Sequence, residues 1–176
     1  KVYVSISDGW NSDNNYKDGF RVVELDGLRF EKMAEYTVGM NPGPLAADAM
    51  GQIYVACRGN YGDIAPKVWR IQGEQASEFC DGSDVEVYGD RLYVVNNYTN
   101  WNVTPPKTIL TYKVYNTNTS QCINSALLEG QPQPEAPIFL DINPQNGDLY
   151  IGSNASASDY TSPGFLWHYN AEGQFI

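Results

Sequence analysis

The sequence predicts an all-β fold built from four copies of one antiparallel unit. A short strand of apolar and aromatic residues recurs around Tyr3, Tyr54, Tyr93 and Tyr150, at spacings of 51, 39 and 57 residues. β-Branched and aromatic residues are enriched in these segments, and no stretch shows a sustained apolar period of 3.6 residues. Repeats of about 40 to 50 residues are typical of propeller blades and too long for leucine-rich or ankyrin units.

Each unit is predicted to contain four strands, which we call A to D, and the recurring tyrosines mark strand B. Tight turns rich in Gly, Asn and Asp precede three of the B strands, because these residues tolerate the positive φ of a short hairpin. Strands A are predicted at residues 45–49, 84–88 and 138–142. Strands C are predicted at 23–25, 69–71, 112–114 and 167–169, and strands D most clearly at 29–38 and 76–80.

Four-stranded antiparallel units that repeat in this way predict a β-propeller, in which the blades pack face to face. We expect approximate blades at 1–40, 41–82, 83–134 and 135–176, all within one propeller domain. The first unit begins at strand B and the fourth stops at the start of strand D. The chain is therefore expected to form about half of a ring of seven or eight blades.

Composition excludes several classes of function. The chain carries 11 Lys and Arg against 21 Asp and Glu, a net charge of −10, so we expect no nucleic-acid partner. Its apolar runs are far shorter than the roughly 20 residues that span a bilayer, which predicts no membrane segment. Three cysteines without a C-x-x-C pair argue against zinc. A single histidine and no G-x-S-x-G motif argue against nucleophilic hydrolysis. We expect a protein that is not an enzyme and requires neither a cofactor nor a metal.

The candidate binding site lies in the connections between strands B and C, which are much longer than the turns between strands A and B. They are predicted at residues 8–19, 58–66, 96–108 and 153–164, all on one rim, where unequal loop length marks the binding side. Tyr and Trp offer flat, rigid contact area, and Asn both donates and accepts hydrogen bonds, which suits sugars, nucleotides or a flat polar macrocycle. The candidate ligand-binding residues are Trp10, Asn14, Tyr16, Arg58, Asn60, Tyr61, Asn96, Tyr98, Trp101, Asn102, Asn154 and Tyr160.

Three segments of the second unit carry a resemblance to a known family. Residues 41–45 read Asn-Pro-Gly-Pro-Leu, residues 48–55 follow the pattern Asp-x-x-Gly-x-Ile-Tyr-Val, and residues 58–64 read Arg-Gly-Asn-Tyr-Gly-Asp-Ile. The chain resembles the YncE-like, YVTN-type seven-bladed propellers, surface-layer proteins of gut Bacteroidetes such as Bacteroides. Within that group it is most similar to the BtuG-type cobalamin-binding surface lipoproteins. The resemblance implies an outer-membrane lipoprotein on the cell surface that passes bound cobalamin to a TonB-dependent transporter.

Two other functions stay open on the sequence alone. A metal-dependent propeller hydrolase, similar to lactonases, would hold an ion in the central tunnel with residues such as Asn41, Asp81 and Glu135. A structural or protein-interaction propeller would use the aromatic rim to contact another protein. Under the leading interpretation, the rim binds a small molecule, either a corrinoid or a glycan.

Overall fold

The computed structural model describes residues 1–7, 19–156, 158–159 and 161–176. Within these residues the chain forms β-strands and no α-helix. The strands are β1 (Val2–Ile6), β2 (Arg21–Leu25), β3 (Lys32–Thr37), β4 (Pro42–Ala47), β5 (Ile53–Cys57), β6 (Lys67–Gln72), β7 (Gln75–Asp81), β8 (Asp84–Tyr88), β9 (Arg91–Asn100), β10 (Lys107–Asn116), β11 (Cys122–Asn124), β12 (Pro137–Ile142), β13 (Leu149–Ser153) and β14 (Phe165–Tyr169).

These strands form four antiparallel sheets, each made of strands that follow one another in the sequence. Sheet 1 has the order β1-β2-β3, sheet 2 β4-β5-β6-β7, sheet 3 β8-β9-β10-β11 and sheet 4 β12-β13-β14. The all-β prediction is confirmed for the described residues, and the arrangement is propeller-like. Strand A is absent from sheet 1 as described, and strand D of sheet 4 is reduced to one bridge between Tyr169 and Phe175.

The A–B turns are closed by their own side chains. In the turn between β4 and β5, the buried carboxylate of Asp48 accepts hydrogen bonds from the backbone N–H groups of Met50 and Gln52, both at 2.9 Å. Gly51 lies between them with φ of +80°, a conformation that glycine adopts without steric cost. These contacts set the register of the hairpin that brings Tyr54 opposite Ala46.

Apolar cores separate the consecutive sheets. The core between sheets 1 and 2 contains Val55, that between sheets 2 and 3 contains Tyr54, and that between sheets 3 and 4 contains Tyr93. Tyr54 and Tyr93 are 0% and 1% exposed. Alternate residues of strand β5 thus serve two different cores, which explains why it is apolar on both faces. Burying a side chain of this size contributes roughly 1.5–3 kcal/mol.

The connection predicted at residues 96–108 is wrong in extent, because β9 and β10 continue through most of it. Their register pairs Tyr98 with Ile109 and Thr99 with Thr108, and the two threonine hydroxyls lie 3.0 Å apart. Cross-strand pairs of aromatic and β-branched residues stabilise a hairpin. Asn96 and Tyr98 therefore lie on a strand, and only residues 101–106 form the connection.

Candidate ligand-binding cleft

A cleft of about 420 Å³ opens at the B–C end of sheets 2, 3 and 4. We call this end the upper rim, and the end that carries the A–B and C–D turns the lower rim. Sheet 2 contributes the connection between β5 and β6, sheet 3 contributes the upper part of its β9–β10 hairpin, and sheet 4 contributes the start of β12 and Asn154. Pockets of this size accommodate small organic ligands.

Arg58 forms part of the sheet 2 wall. It directly follows β5, and its backbone N–H donates to the carbonyl of Asn41 at 2.9 Å. The guanidinium passes over Gly43, where a Cβ atom would lie 3.5 Å from Arg58 Nε and 3.6 Å from Cζ. These are ordinary van der Waals distances, so the arginine side chain lies directly against this part of β4. Among the described residues, no side chain forms an ion pair or hydrogen bond with this guanidinium.

The loop after Arg58 is shaped by the side chain of Asn60. Its Oδ1 accepts hydrogen bonds from the backbone N–H groups of Gly62 and Ile64, both at 3.0 Å, and its Nδ2 donates to Asp63 Oδ1 at 2.8 Å. Both polar atoms of the Asn60 side chain are therefore engaged within the loop. Tyr61 has φ of +56° and lines the cleft with 51% of its surface exposed.

The sheet 3 wall is the upper part of the β9–β10 hairpin. The hydroxyl of Tyr98 donates to the carbonyl of Gly62, which ties this hairpin to the sheet 2 loop. Trp101 follows the end of β9, lines the cleft and is 66% exposed. Asn97 Nδ2 donates to the carbonyl of Pro137 at 3.0 Å, which joins sheets 3 and 4. An exposed indole held at the end of a paired hairpin is a ready surface for stacking.

The sheet 4 wall combines apolar and polar groups. Pro137 and Phe139 lie beside the exposed carboxylate of Glu135. Asn154 follows β13, and its backbone N–H donates to the carbonyl of Ala136 at 3.0 Å. Within the described part of the chain, the side-chain amide of Asn154 has no protein partner, so it can both donate to and accept from a ligand.

A buried carboxylate, Asp84, also lines the cleft and was not among the candidate residues. Its Oδ1 accepts from Val85 N and its Oδ2 accepts from Leu140 N, each at 2.9 Å, so it links strand β8 to strand β12. Burial raises the pKa of this carboxyl above its ordinary value, although the two backbone bonds and the charge of Arg58 oppose the shift. Because residues 84–88 alternate acidic and apolar side chains, the sequence did not distinguish Asp84 from Glu86.

The candidate residues divide into three groups. Five of them line the cleft, namely Arg58, Tyr61, Tyr98, Trp101 and Asn154. Three do not line it, namely Asn60, Asn96 and Asn102. Four lie outside the described residues, namely Trp10, Asn14, Tyr16 and Tyr160. Ligand contact by any of the twelve stays a prediction.

Asn96 and Asn102 illustrate two reasons for missing the cleft. Asn96 is buried, and its Oδ1 has no hydrogen-bond partner among the described groups. Val95, Asn97 and Tyr98 of the same strand line the cleft, whereas the buried side chain of Asn96 does not reach it. Asn102 is exposed in the connection, where its backbone N–H donates to Asn100 Oδ1 at 2.9 Å.

The three residues considered for a central metal have different surroundings. Asp81 Oδ1 lies 2.9 Å from Lys67 Nζ, Asn41 is buried, and Glu135 is exposed in the cleft. Among the described residues, no group of three or more His, Cys, Asp or Glu side chains could hold a metal ion. The same residues contain no helix of the length and apolarity that crossing a membrane requires.

Comparison with known proteins bears on the fold. No protein-family model matches the chain, and no curated protein matches it either. Among solved structures, the chain is similar to hydrazine synthase of Kuenenia stuttgartiensis, with a TM-score of 0.63 at 18% sequence identity. The match covers 90% of this chain and 42% of the hydrazine synthase chain. At this identity the likeness supports the propeller-like fold alone, and the chain spans less than half of its neighbour's length.

Proposed function

We propose that this protein binds a flat, polar small molecule in the upper-rim cleft and does not transform it. The observation that carries the proposal is that the same cleft is lined by exposed aromatic rings and by two polar side chains, Arg58 and Asn154, that have no hydrogen-bond or ion-pair partner among the described residues. Trp101 and Tyr61 offer ring faces, Asn154 offers an unused amide, and Arg58 offers an unused guanidinium. Aromatic surface with a few convergent polar groups is the usual composition of a ligand pocket.

The ligand that fits this chemistry and the family resemblance is a corrinoid, most specifically cobalamin. A corrin is a large flat ring surrounded by amide groups, which match the rings and the side-chain amide of the cleft. A cleft of about 420 Å³ would hold one side of such a molecule, with the rest over the rim. A glycan is the alternative ligand, because sugars also stack on Trp and Tyr and hydrogen-bond to Asn.

The resemblance further supports a cellular role. The protein would be a lipoprotein on the outer face of the bacterial outer membrane, and it would deliver its ligand to a TonB-dependent transporter. Under this proposal the cobalamin is cargo and no resident cofactor is needed. The structural and the hydrolytic propeller are the competing functions, and neither predicts tight, saturable binding of an unmodified corrinoid.

The deciding experiment is calorimetric titration of the protein with cyanocobalamin, alongside a panel of soluble glycans. Saturable binding of the corrinoid, with its absorbance spectrum and mass unchanged after incubation, would support a capture protein. Binding of a glycan in place of the corrinoid would overturn the choice of ligand. Absence of heat and of thermal stabilisation with every compound would overturn the proposal itself.

We also propose that the four sheets belong to a ring of seven or eight blades. Tyr54 and Tyr93 each lie beneath the next sheet, whereas Tyr150, at the same position of sheet 4, is only partly buried. Val4 on sheet 1 and Leu166 on sheet 4 are large exposed apolar residues. Further blades would cover both faces. A crystal structure with four or five sheets closing on themselves would overturn this ring size.

A further inference from the structure

We infer that Arg58 recognises an oxyanion of the ligand, which in a corrinoid is the phosphodiester of the nucleotide loop. The inference rests on the proposed function, because it assigns a chemical group of the ligand to one residue of the proposed cleft. The chain has five arginines, Arg21, Arg29, Arg58, Arg70 and Arg91.

Four of the five arginines have partners within the protein. Arg29 lies near Asp26 and Glu31, at 3.9 and 3.8 Å. Arg91 lies 3.5 Å from Glu172. Arg70 donates to Ser120 Oγ at 2.7 Å and lies over the ring of Phe79, and Arg21 also has a contact. Among the described residues Arg58 alone has neither an ion pair nor a side-chain hydrogen bond, and it is the arginine that lines the cleft.

The surroundings of Arg58 leave its donors available for a ligand. The nearby carboxylate of Asp84 is already used, since its two oxygens accept backbone hydrogen bonds from Val85 and Leu140. The oxygens of Asp84 also form no ion pair with the guanidinium of Arg58, which means that they lie more than 4.0 Å from its nitrogens. Arg58 is only partly exposed, and no described side chain replaces the water that its guanidinium gives up. An anion that enters the cleft would restore those hydrogen bonds.

The chemistry of the guanidinium selects the kind of anion. Its planar fork of N–H groups matches two oxygens of a phosphate or carboxylate at once, and charge-assisted bonds of this type are about twice as strong as neutral ones. The neighbouring Trp101 and Tyr61 would stack on the flat part of the ligand. A ligand with both a planar face and an attached phosphodiester would therefore contact the aromatic rings and the guanidinium at the same time.

The test compares two corrinoids on the wild type and on variants at two arginines. Cyanocobalamin carries the nucleotide loop with its phosphodiester, and dicyanocobinamide has the corrin ring and its amides but lacks that loop. Calorimetry would measure both ligands on the wild type, on Arg58→Gln and on Arg29→Gln. The last variant makes the same charge change in the turn between β2 and β3, at the lower rim.

Arg58→Gln is expected to weaken cyanocobalamin binding by about 10- to 100-fold, the usual range for a lost charged hydrogen bond. It should change dicyanocobinamide binding by less than about threefold, and Arg29→Gln should leave both affinities within about twofold. Arg58→Lys, which keeps the charge but not the fork, should show an intermediate loss for cyanocobalamin. Thermal unfolding of each variant would check that it is folded.

The outcomes separate the inference from the proposed function. If Arg58→Gln weakens both corrinoids equally, or neither, the inference is overturned while corrinoid binding stands. If the wild type binds neither corrinoid, the proposed ligand and the inference fall together. Equal affinity of the wild type for the two corrinoids would also overturn it, because the phosphodiester would then contribute nothing to binding.

Discussion

The upper and the lower rim carry cavities of similar size but of opposite chemical character. The lower cavity, of about 360 Å³, lies between sheets 3 and 4 and is lined by residues of the turns, among them Asp90, Arg91, Asp148 and Glu172. The upper cleft measures about 420 Å³. Volume therefore does not distinguish the two, and the difference lies in whether their polar groups already have partners.

At the lower rim the charged groups are paired with each other. Asp148 Oδ2 lies 2.9 Å from His168 Nε2 and accepts from Asn146 Nδ2 at 2.9 Å. Glu172 lies 3.5 Å from Arg91. A ligand entering there would have to displace these contacts before making its own. At the upper rim it would also meet Arg58 and Asn154, whose side chains have no ion pair or hydrogen bond among the described residues.

Loop length explains the contrast. A turn of two to six residues brings polar side chains close to its own backbone, so that they close the hairpin, as Asp48 does. The longer upper connections hold their shape through a few groups, such as Asn60 and Tyr98, and leave others free.

The largest effect is expected from Asp48→Ala at the lower rim. The change removes three hydrogen bonds, two from backbone N–H groups and one from Gln52 Nε2 at 2.8 Å, and it leaves a buried amide without that partner. The free energy of unfolding should fall by about 3 kcal/mol. Urea denaturation would measure it. Ligand affinity of the folded protein should stay unchanged, and a loss of affinity would contradict the separation of the two rims.

A somewhat smaller effect is expected from the double variant Trp101→Ala, Tyr61→Ala at the upper rim. Both side chains are largely exposed, so the free energy of unfolding should change by less than about 0.5 kcal/mol. Ligand binding should weaken by about 2 kcal/mol, because exposed aromatic anchors contribute mainly to the complex. Calorimetry with the ligand that binds the wild type measures this. Unchanged affinity would show that the aromatic residues of the cleft do not bind ligand.

The smallest effect concerns Glu86, which lies on β8 between Asp84 of the upper cleft and Tyr88 of the lower cavity. Burial, together with the negative charges of Asp141 and Asp84, raises the pKa of Glu86 from 4.5 to about 7. The folded state therefore holds a proton that the unfolded chain loses above pH 4.5. Its contribution to stability is present in full below pH 4.5 and is lost as the pH rises to 7.

Glu86→Gln, which is uncharged at every pH, should remove this loss. The free energy of unfolding of the variant minus that of the wild type should be larger at pH 7.5 than at pH 4.5, by about 1 to 2 kcal/mol. Urea denaturation at the two pH values measures the difference, and Glu78→Gln, an exposed change on β7, is the control. If the difference in unfolding free energy between the variant and the wild type were the same at both pH values, the raised pKa of Glu86 would be contradicted.

The sequence alone determined the class of fold and the order of the strands. Alternation of apolar residues has a period of two in a strand, and Gly and Asn mark the turns, so both signals are local. They located every B strand by its tyrosine, and they separated the short turns from the longer connections. They also brought Arg58, Tyr61 and Trp101 into consideration, because loop position and residue type are visible without any tertiary contact.

Only the tertiary structure decided which groups are used and which are free. Asn60 and Asn154 are the same residue type on the same rim, but one is consumed by its own loop and the other faces the cleft. Asp84 reached the cleft through the packing of β8 against β12, a contact 56 residues apart in sequence. Hydrogen-bond partners and burial depend on residues distant in the chain, and for that physical reason no local pattern could reveal them.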